Sequence, residues 1–312
     1  MTATRQAPAP ATTRSADSGR AVLPSERGFA RSPDGVHIAF EIYGSGDPTV
    51  LLLPSTPIVH SRQWKGQVPY LSRTHRVVVF DGRGNGLSDR PTDPAAYREA
   101  RMLGDIEAVM DATGTEAAVL VGLCGDGVWR AIELAAMRPD RVQGIVAFAA
   151  GVPLLAPPHP WKVAWSFDDE LATDEGWAKQ NRHFWRRDYA GFVRFFFEEI
   201  TSEPHSTKQI DDAVEWALDG SVDAMLADMD VEGTTDLAAV EATCRAVRCP
   251  MLIVHGSEDT CQPIARSQRL SELTGAPLVV VDGADHMIPG RHPVLANLLI
   301  RDFIRSIGRT EP

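Results

Sequence analysis

Val119-Leu-Val-Gly-Leu-Cys124-Gly-Asp-Gly-Val-Trp-Arg130 is an apolar run that passes straight through a glycine-flanked cysteine into a helical pattern. A strand-to-helix turn of this kind forces its central side chain out of the sheet edge. It also aims the N-terminal amides of the helix at that side chain, which stabilises a thiolate and a developing oxyanion alike. Cys124 is placed as a nucleophile. The usual form of the turn is G-x-S-x-G. Here Gly122-Leu-Cys-Gly-Asp126 has a thiol for the hydroxyl and a carboxylate for the second glycine.

Outward from this turn, short apolar runs alternate with helical spacing, the pattern of a mostly parallel twisted sheet with helices on both faces. Residues 36–43 alternate as an antiparallel edge strand would, and 50–53, 76–80, 117–121, 142–148, 251–254 and 278–281 read as buried strands. Helical spacing covers 98–113, 128–137 and 292–307. The alternation stops over 152–236, where helical segments dense in Trp and Phe read as an inserted cap. The expected organisation is an α/β core over 28–151 and 237–312, a helical cap over 152–236, and a disordered Ala/Thr/Pro/Arg-rich tail over 1–27. Most cap aromatics should form the cap's own core, with a minority lining a pocket beneath it.

The chain has 312 residues, 44% of them hydrophobic, and a formal net charge of −11. No apolar run reaches the ~18 residues of a membrane span, and no basic patch is present to meet nucleic acid or an anionic membrane. The tail lacks the apolar stretch of a secretory signal. Cys124, Cys244, Cys249 and Cys261 form no paired framework, which fits a reducing cytoplasm. Their spacing matches no zinc motif, so no metal and no organic cofactor is expected. The expected partner is a small molecule with an apolar part. The oligomeric state stays open, a homodimer included.

Acyl chemistry needs a nucleophile, a base, a group that orients the base, and amide donors for the oxyanion. Cys124, Asp259 and His286 follow in that chain order of nucleophile, acid and histidine, the last two in loops just after apolar strands. The stretch Asp81-Gly-Arg-Gly-Asn-Gly-Leu-Ser-Asp-Arg-Pro91 adds a long and specific match. From residue 28 onward the chain resembles the α/β-hydrolase superfamily. The resemblance implies that the HGxP-type turn of that family is Pro54-Ser-Thr-Pro57 here, without its histidine and glycine. It also implies that the backbone amides of Thr56 and Gly125 hold the oxyanion. Candidate pocket residues are Ser55, His60, Asp126, Trp161, Trp165 and Trp185. Cys261 reads as a loop thiol, His255 as a structural histidine, and Arg83 and Asp89 as members of a structural ion-paired loop.

A thiol beside a histidine and a helix N-terminus can rest as thiolate, and its acyl product is a thioester that water, amines or thiols attack. The chain therefore reads as a cysteine-dependent enzyme that hydrolyses or transfers the acyl group of an ester, thioester, lactone or amide. The sequence leaves two alternatives open. One is a non-hydrolytic binding protein on the same fold. The other is an epimerase or lyase moving protons between Asp126 and His286.

Overall fold

The computed structural model describes residues 22–55, 57–156, 164–204, 207–233 and 236–308. Eight strands form one sheet in the order β1-β2-β4-β3-β5-β6-β7-β8. They are β1 (Glu26–Arg31), β2 (His37–Tyr43), β3 (Val50–Leu52), β4 (Val77–Phe80), β5 (Ala118–Leu123), β6 (Val142–Phe148), β7 (Met251–Gly256) and β8 (Leu278–Val281). Pairing is antiparallel for β1 with β2 and β2 with β4, and parallel from β4 through β8. Helices α1 (Val68–Leu71), α2 (Glu99–Ala112) and α3 (Cys124–Met137) precede β6. Helices α4 (Arg182–Glu199), α5 (Lys208–Leu218), α6 (Val222–Met229) and α7 (Leu237–Ala246) lie between β6 and β7, and α8 (Ile264–Thr274) follows β7. Helices α9 (Ile288–Arg291) and α10 (Pro293–Ile307) close the chain.

Four expectations need correction. The strand at 278–281, expected to be buried, is β8 at the far edge of the sheet and has no buried residue. The strand at 36–43 is antiparallel, but β1 covers its outer side and is the true edge. That strand begins at Glu26, inside the stretch expected to be a tail. Residues 1–21 lie outside the described residues. Helix α3 starts at Cys124, four residues before the apolar spacing that announced it.

The central strands are buried on both faces, and alternation along each one feeds two separate cores. Leu51, Leu53, Val78, Phe80 and Leu120 face the layer of α2, α3, α7 and α8. Val50, Leu52, Val77, Val79, Val119 and Val121 face the layer of α1, α9 and α10. Full burial of each such side chain contributes roughly 1.5–3 kcal/mol, which fixes the register because a one-residue slip would exchange the two sets. A third cluster joins the inserted helices to the loops above the sheet: Phe184, Trp185, Phe192, Phe197 and Trp216 pack with Ile58, Val59 and Cys261. Ring pairs such as Trp185–Phe192 at 4.5 Å and Phe167–Trp185 at 4.9 Å account for much of the aromatic content there.

From β3 the chain runs to β4 on one side, then returns to place β5 on the other. The crevice beyond the carboxyl ends of β3 and β5 is thus the point where the winding reverses, the usual place for a ligand in an open α/β sheet. The loop after β3 and the turn at Cys124 meet there.

Candidate active site

Cys124 has φ +64°, a left-handed conformation that a non-glycine residue adopts at a strain cost. Two glycines allow the tight turn. A Cβ on Gly122 would lie 2.5 Å from the carbonyl oxygen of Gly127, and one on Gly127 would lie 3.1 Å from that of Pro54. The close approach of helix and strand therefore falls to Gly127, which explains why a carboxylate is tolerated at Asp126. Asp126 turns to Arg130, with Oδ2 3.3 Å from the guanidinium, and the buried Arg130 also pairs with Glu99 at 3.0 Å. Burial pushes the Asp126 carboxyl up, against the pull of Arg130.

His286, in the loop after β8, meets Asp259, in the loop after β7, through Nδ1 and Oδ2 at 2.8 Å. Asp259 is held by its own loop: Oδ1 accepts from the amides of Cys261 (2.7 Å) and Gln262 (2.8 Å). His255 braces the same loop, with Nδ1 2.6 Å from Ser267 Oγ, and Nε2 3.1 Å from the Gln262 carbonyl and 3.3 Å from Asp259 Oδ2. The ligating atoms of Cys124, Cys261 and His286 lie within 4.8 Å of one another. Among the described residues this is the cluster that could hold a metal ion. Gln262 Nε2 donates to Cys124 Sγ at 3.6 Å.

The electrostatics follow from these contacts. A hydrogen bond from the Cys261 thiol, with the His286 charge and the Gly125 amide, outweighs burial and holds the Cys124 thiol well below its ordinary pKa. Burial opposes the His286 cation, but Asp259 and the two sulfurs prevail and hold it well above the ordinary imidazole value. Burial also opposes the Asp259 charge, and His286 overrides it. Cys261, as donor to Cys124 and buried, is pushed well up. Both shifts favour the charged pair, thiolate and imidazolium, over the neutral one.

These groups open on a cavity of about 450 Å³ whose wall is mostly apolar. Ser55, Cys124, Trp165 and His286 line it, with Phe167, Phe196, Phe197, Ile200 and Met229 from the inserted segment. Thr56 and Trp161 lie outside the described residues. His60, Asp126 and Trp185 do not appear in the described wall, contrary to the pocket expectation. His60 lies tilted against Trp216 and faces Asp219 at 3.4 Å, Asp126 is drawn to Arg130, and Trp185 is taken up in the aromatic cluster.

Three residues join the site without having been singled out from sequence. Gln63 is 5% exposed and lines the cavity. Its Oε1 accepts from Ser55 Oγ at 2.9 Å, while Nε2 has no partner among the described residues. Trp64 Nε1 donates to the Leu53 carbonyl (2.9 Å) and Asn85 Nδ2 to the Pro57 carbonyl (2.7 Å), so these side chains brace the turn that lacks the family's histidine. Asn85 sits in the Asp81–Pro91 stretch, whose remaining members are structural. Arg83 is fully buried and grips Asp105 with two bonds of 2.7 and 2.6 Å, while Asp89 pairs with His37 at 3.0 Å.

A sequence profile described as alpha/beta hydrolase fold matches residues 48–293. The chain is 27% identical over 274 residues to a 2-hydroxymuconate semialdehyde hydrolase of Pseudomonas sp. (strain CF600), covering 86% of this chain and 91% of that protein. Among solved structures, a bromoperoxidase from Bacillus anthracis superposes with a TM-score of 0.74 at 20% identity, over 90% of this chain and 100% of the other. An esterase from Exiguobacterium antarcticum superposes with a TM-score of 0.75 at 20% identity, over 89% and 98%. At such identities the two structures speak for the shared fold, and their differing names show how many activities it carries.

Proposed function

Because the chain belongs to the alpha/beta hydrolase family, its reacting group belongs at the turn from β5 into α3, and we propose that Cys124 there forms an acyl-thioester. The observation that carries this reading is the left-handed Cys124, next to the His286–Asp259 pair at the floor of the cavity. In the first step Cys124 Sγ attacks the substrate carbonyl, and the Gly125 amide, with that of Thr56 by family resemblance, takes the oxyanion. His286 gives its proton to the leaving oxygen, nitrogen or sulfur as the bond breaks. It then takes a proton from water, or from an amine or thiol acceptor, that attacks the thioester. Asp259 holds the ring and its charge throughout.

The substrate is an ester, thioester, lactone or amide whose apolar part fits beneath the inserted helices, which act as a cap. Gln63 Nε2, without a partner among the described residues, suits an acceptor atom on the acyl part, since a buried donor left empty costs about 1–3 kcal/mol. The epimerase or lyase alternative gave Asp126 a part at the substrate, but its carboxylate is engaged with Arg130.

Intact mass after reaction with an activated ester tests the reading. One acyl group should add to the protein, with the adduct absent in Cys124→Ala. An adduct that persists in Cys124→Ala, or none with any acyl donor while iodoacetamide also leaves Cys124 unlabelled, overturns it.

A further inference from the structure

Cys261 gives the floor of the cavity a second sulfur that acyl transfer does not require. Its Sγ, that of Cys124 and a ring nitrogen of His286 all lie within 4.8 Å of one another. They come from the start of α3 and from the loops after β7 and β8. No motif spacing in the sequence can announce such a set. We propose that Cys124, Cys261 and His286 form a zinc site, and that a bound Zn²⁺ silences the nucleophile.

The donor set is the argument. Two thiolates and one imidazole are ligands that zinc takes in preference to hard cations, and three protein ligands with an open fourth position are an established zinc arrangement. For three atoms no farther apart than 4.8 Å, some point lies within about 2.8 Å of all of them, against about 2.3 Å for a zinc–sulfur bond, so small side-chain shifts close the site. The surroundings suit a metal as well. His286 Nδ1 is committed to Asp259 at 2.8 Å, the outer carboxylate that orients a ligating imidazole and leaves Nε2 as the donor. Gln262 Nε2 lies 3.6 Å from one sulfur and 3.9 Å from the other, and Arg266 fixes that amide through Oε1 at 2.8 Å. All three ligands line the cavity, so a fourth position would be open to it.

On binding, zinc takes a lone pair from each sulfur and from Nε2, and the protons on Cys261 and on Nε2 leave to solvent. No redox change is involved. Both groups that acyl transfer needs are then occupied, so metal and acyl group exclude each other. The site stands on its geometry and holds whether or not the acyl reading does.

The test uses the full chain, stripped with a chelator and titrated with Co²⁺ as a coloured substitute. One equivalent should bind with near-ultraviolet thiolate-to-cobalt charge-transfer bands and the visible bands of tetrahedral cobalt, and Zn²⁺ should bleach both. Cys261→Ser should lose about half of the charge-transfer intensity and weaken Zn²⁺ binding at least tenfold, while Cys249→Ser keeps the wild-type spectrum. Should Cys261→Ser fail to fold by circular dichroism, protection of wild-type Cys124 from iodoacetamide by stoichiometric Zn²⁺ reads the same contact. Absence of sulfur charge transfer, a spectrum unchanged in Cys261→Ser, or alkylation indifferent to Zn²⁺ overturns the site. Acylation measured separately in chelator decides the function, so either inference can fail alone.

Discussion

A Cβ on Gly151 would lie 2.6 Å from the Gly125 amide nitrogen and 2.7 Å from its Cα. The amide assigned to the oxyanion is therefore positioned by an empty space on the next loop. Gly151→Ala should lower kcat by roughly tenfold to a hundredfold with a smaller change in KM, since losing one such donor costs about 10²–10³. Steady-state kinetics on a chromogenic ester decide it, with a thermal melt as the folding control. An unchanged kcat in a folded variant removes Gly125 from the mechanism. At this scale the meeting of Cys124, Asp259 and His286 at one end of the sheet was legible in sequence, because each follows an apolar strand. Cys261 and Gln63 were not. A thiol two residues after an acid was a visible hint, but only the hydrogen bonds of Asp259 to the Cys261 and Gln262 amides turn that loop into the site. Aromatic content likewise marked the inserted helices without showing which ring faces inward, hence the misplacement of Trp185.

Among the elements, the segment between α4 and α5 reaches the loop that carries His286 through Glu203. Glu203 accepts from the Asp285 amide at 2.9 Å and its own amide donates to Asp285 Oδ2 at 3.3 Å, while its carboxylate meets His292 at 3.0 Å. The loop that carries His286 is thus held by the inserted segment as well as by the sheet. Glu203→Ala should reduce kcat by about tenfold, because small misplacement of a catalytic group is costly, and should leave cobalt binding weaker as well. A variant with wild-type kcat would show that the sheet alone sets the histidine. The buried strands β3 to β7 could be read from sequence because parallel strands are apolar on both faces, whereas the apolar run of β8 hid that it is an edge strand with no buried residue. Strand β1 could not, since Ala30 is its one fully buried residue and the rest is exposed or half-buried. Helix α3 was read too short because its first turn, Cys124-Gly-Asp-Gly, has no apolar periodicity.

Across the whole molecule, acidic groups gather where the inserted helices meet the core. Burial, with the Asp126 charge nearby, pushes Asp228 of α6 up to about 7, and burial beside Glu99 pushes Glu133 of α3 to about 9. Raised carboxyls bind more protons in the folded than in the unfolded chain, so stability is full below about pH 4 and is lost as pH rises towards each folded value. The melting temperature should fall from pH 5 to 8, and Asp228→Asn should flatten part of that fall. Parallel curves for the two proteins would mean that Asp228 is already ionised at pH 5. The elbow has a different consequence for the molecule. Its shape rests on backbone atoms of Gly122, Gly127 and Pro54, none of which senses which atom sits on the β-carbon of residue 124. Fold and reagent are therefore separable. An engineer could exchange sulfur for oxygen there, and change the lifetime of the acyl intermediate, without redesigning the scaffold that presents it.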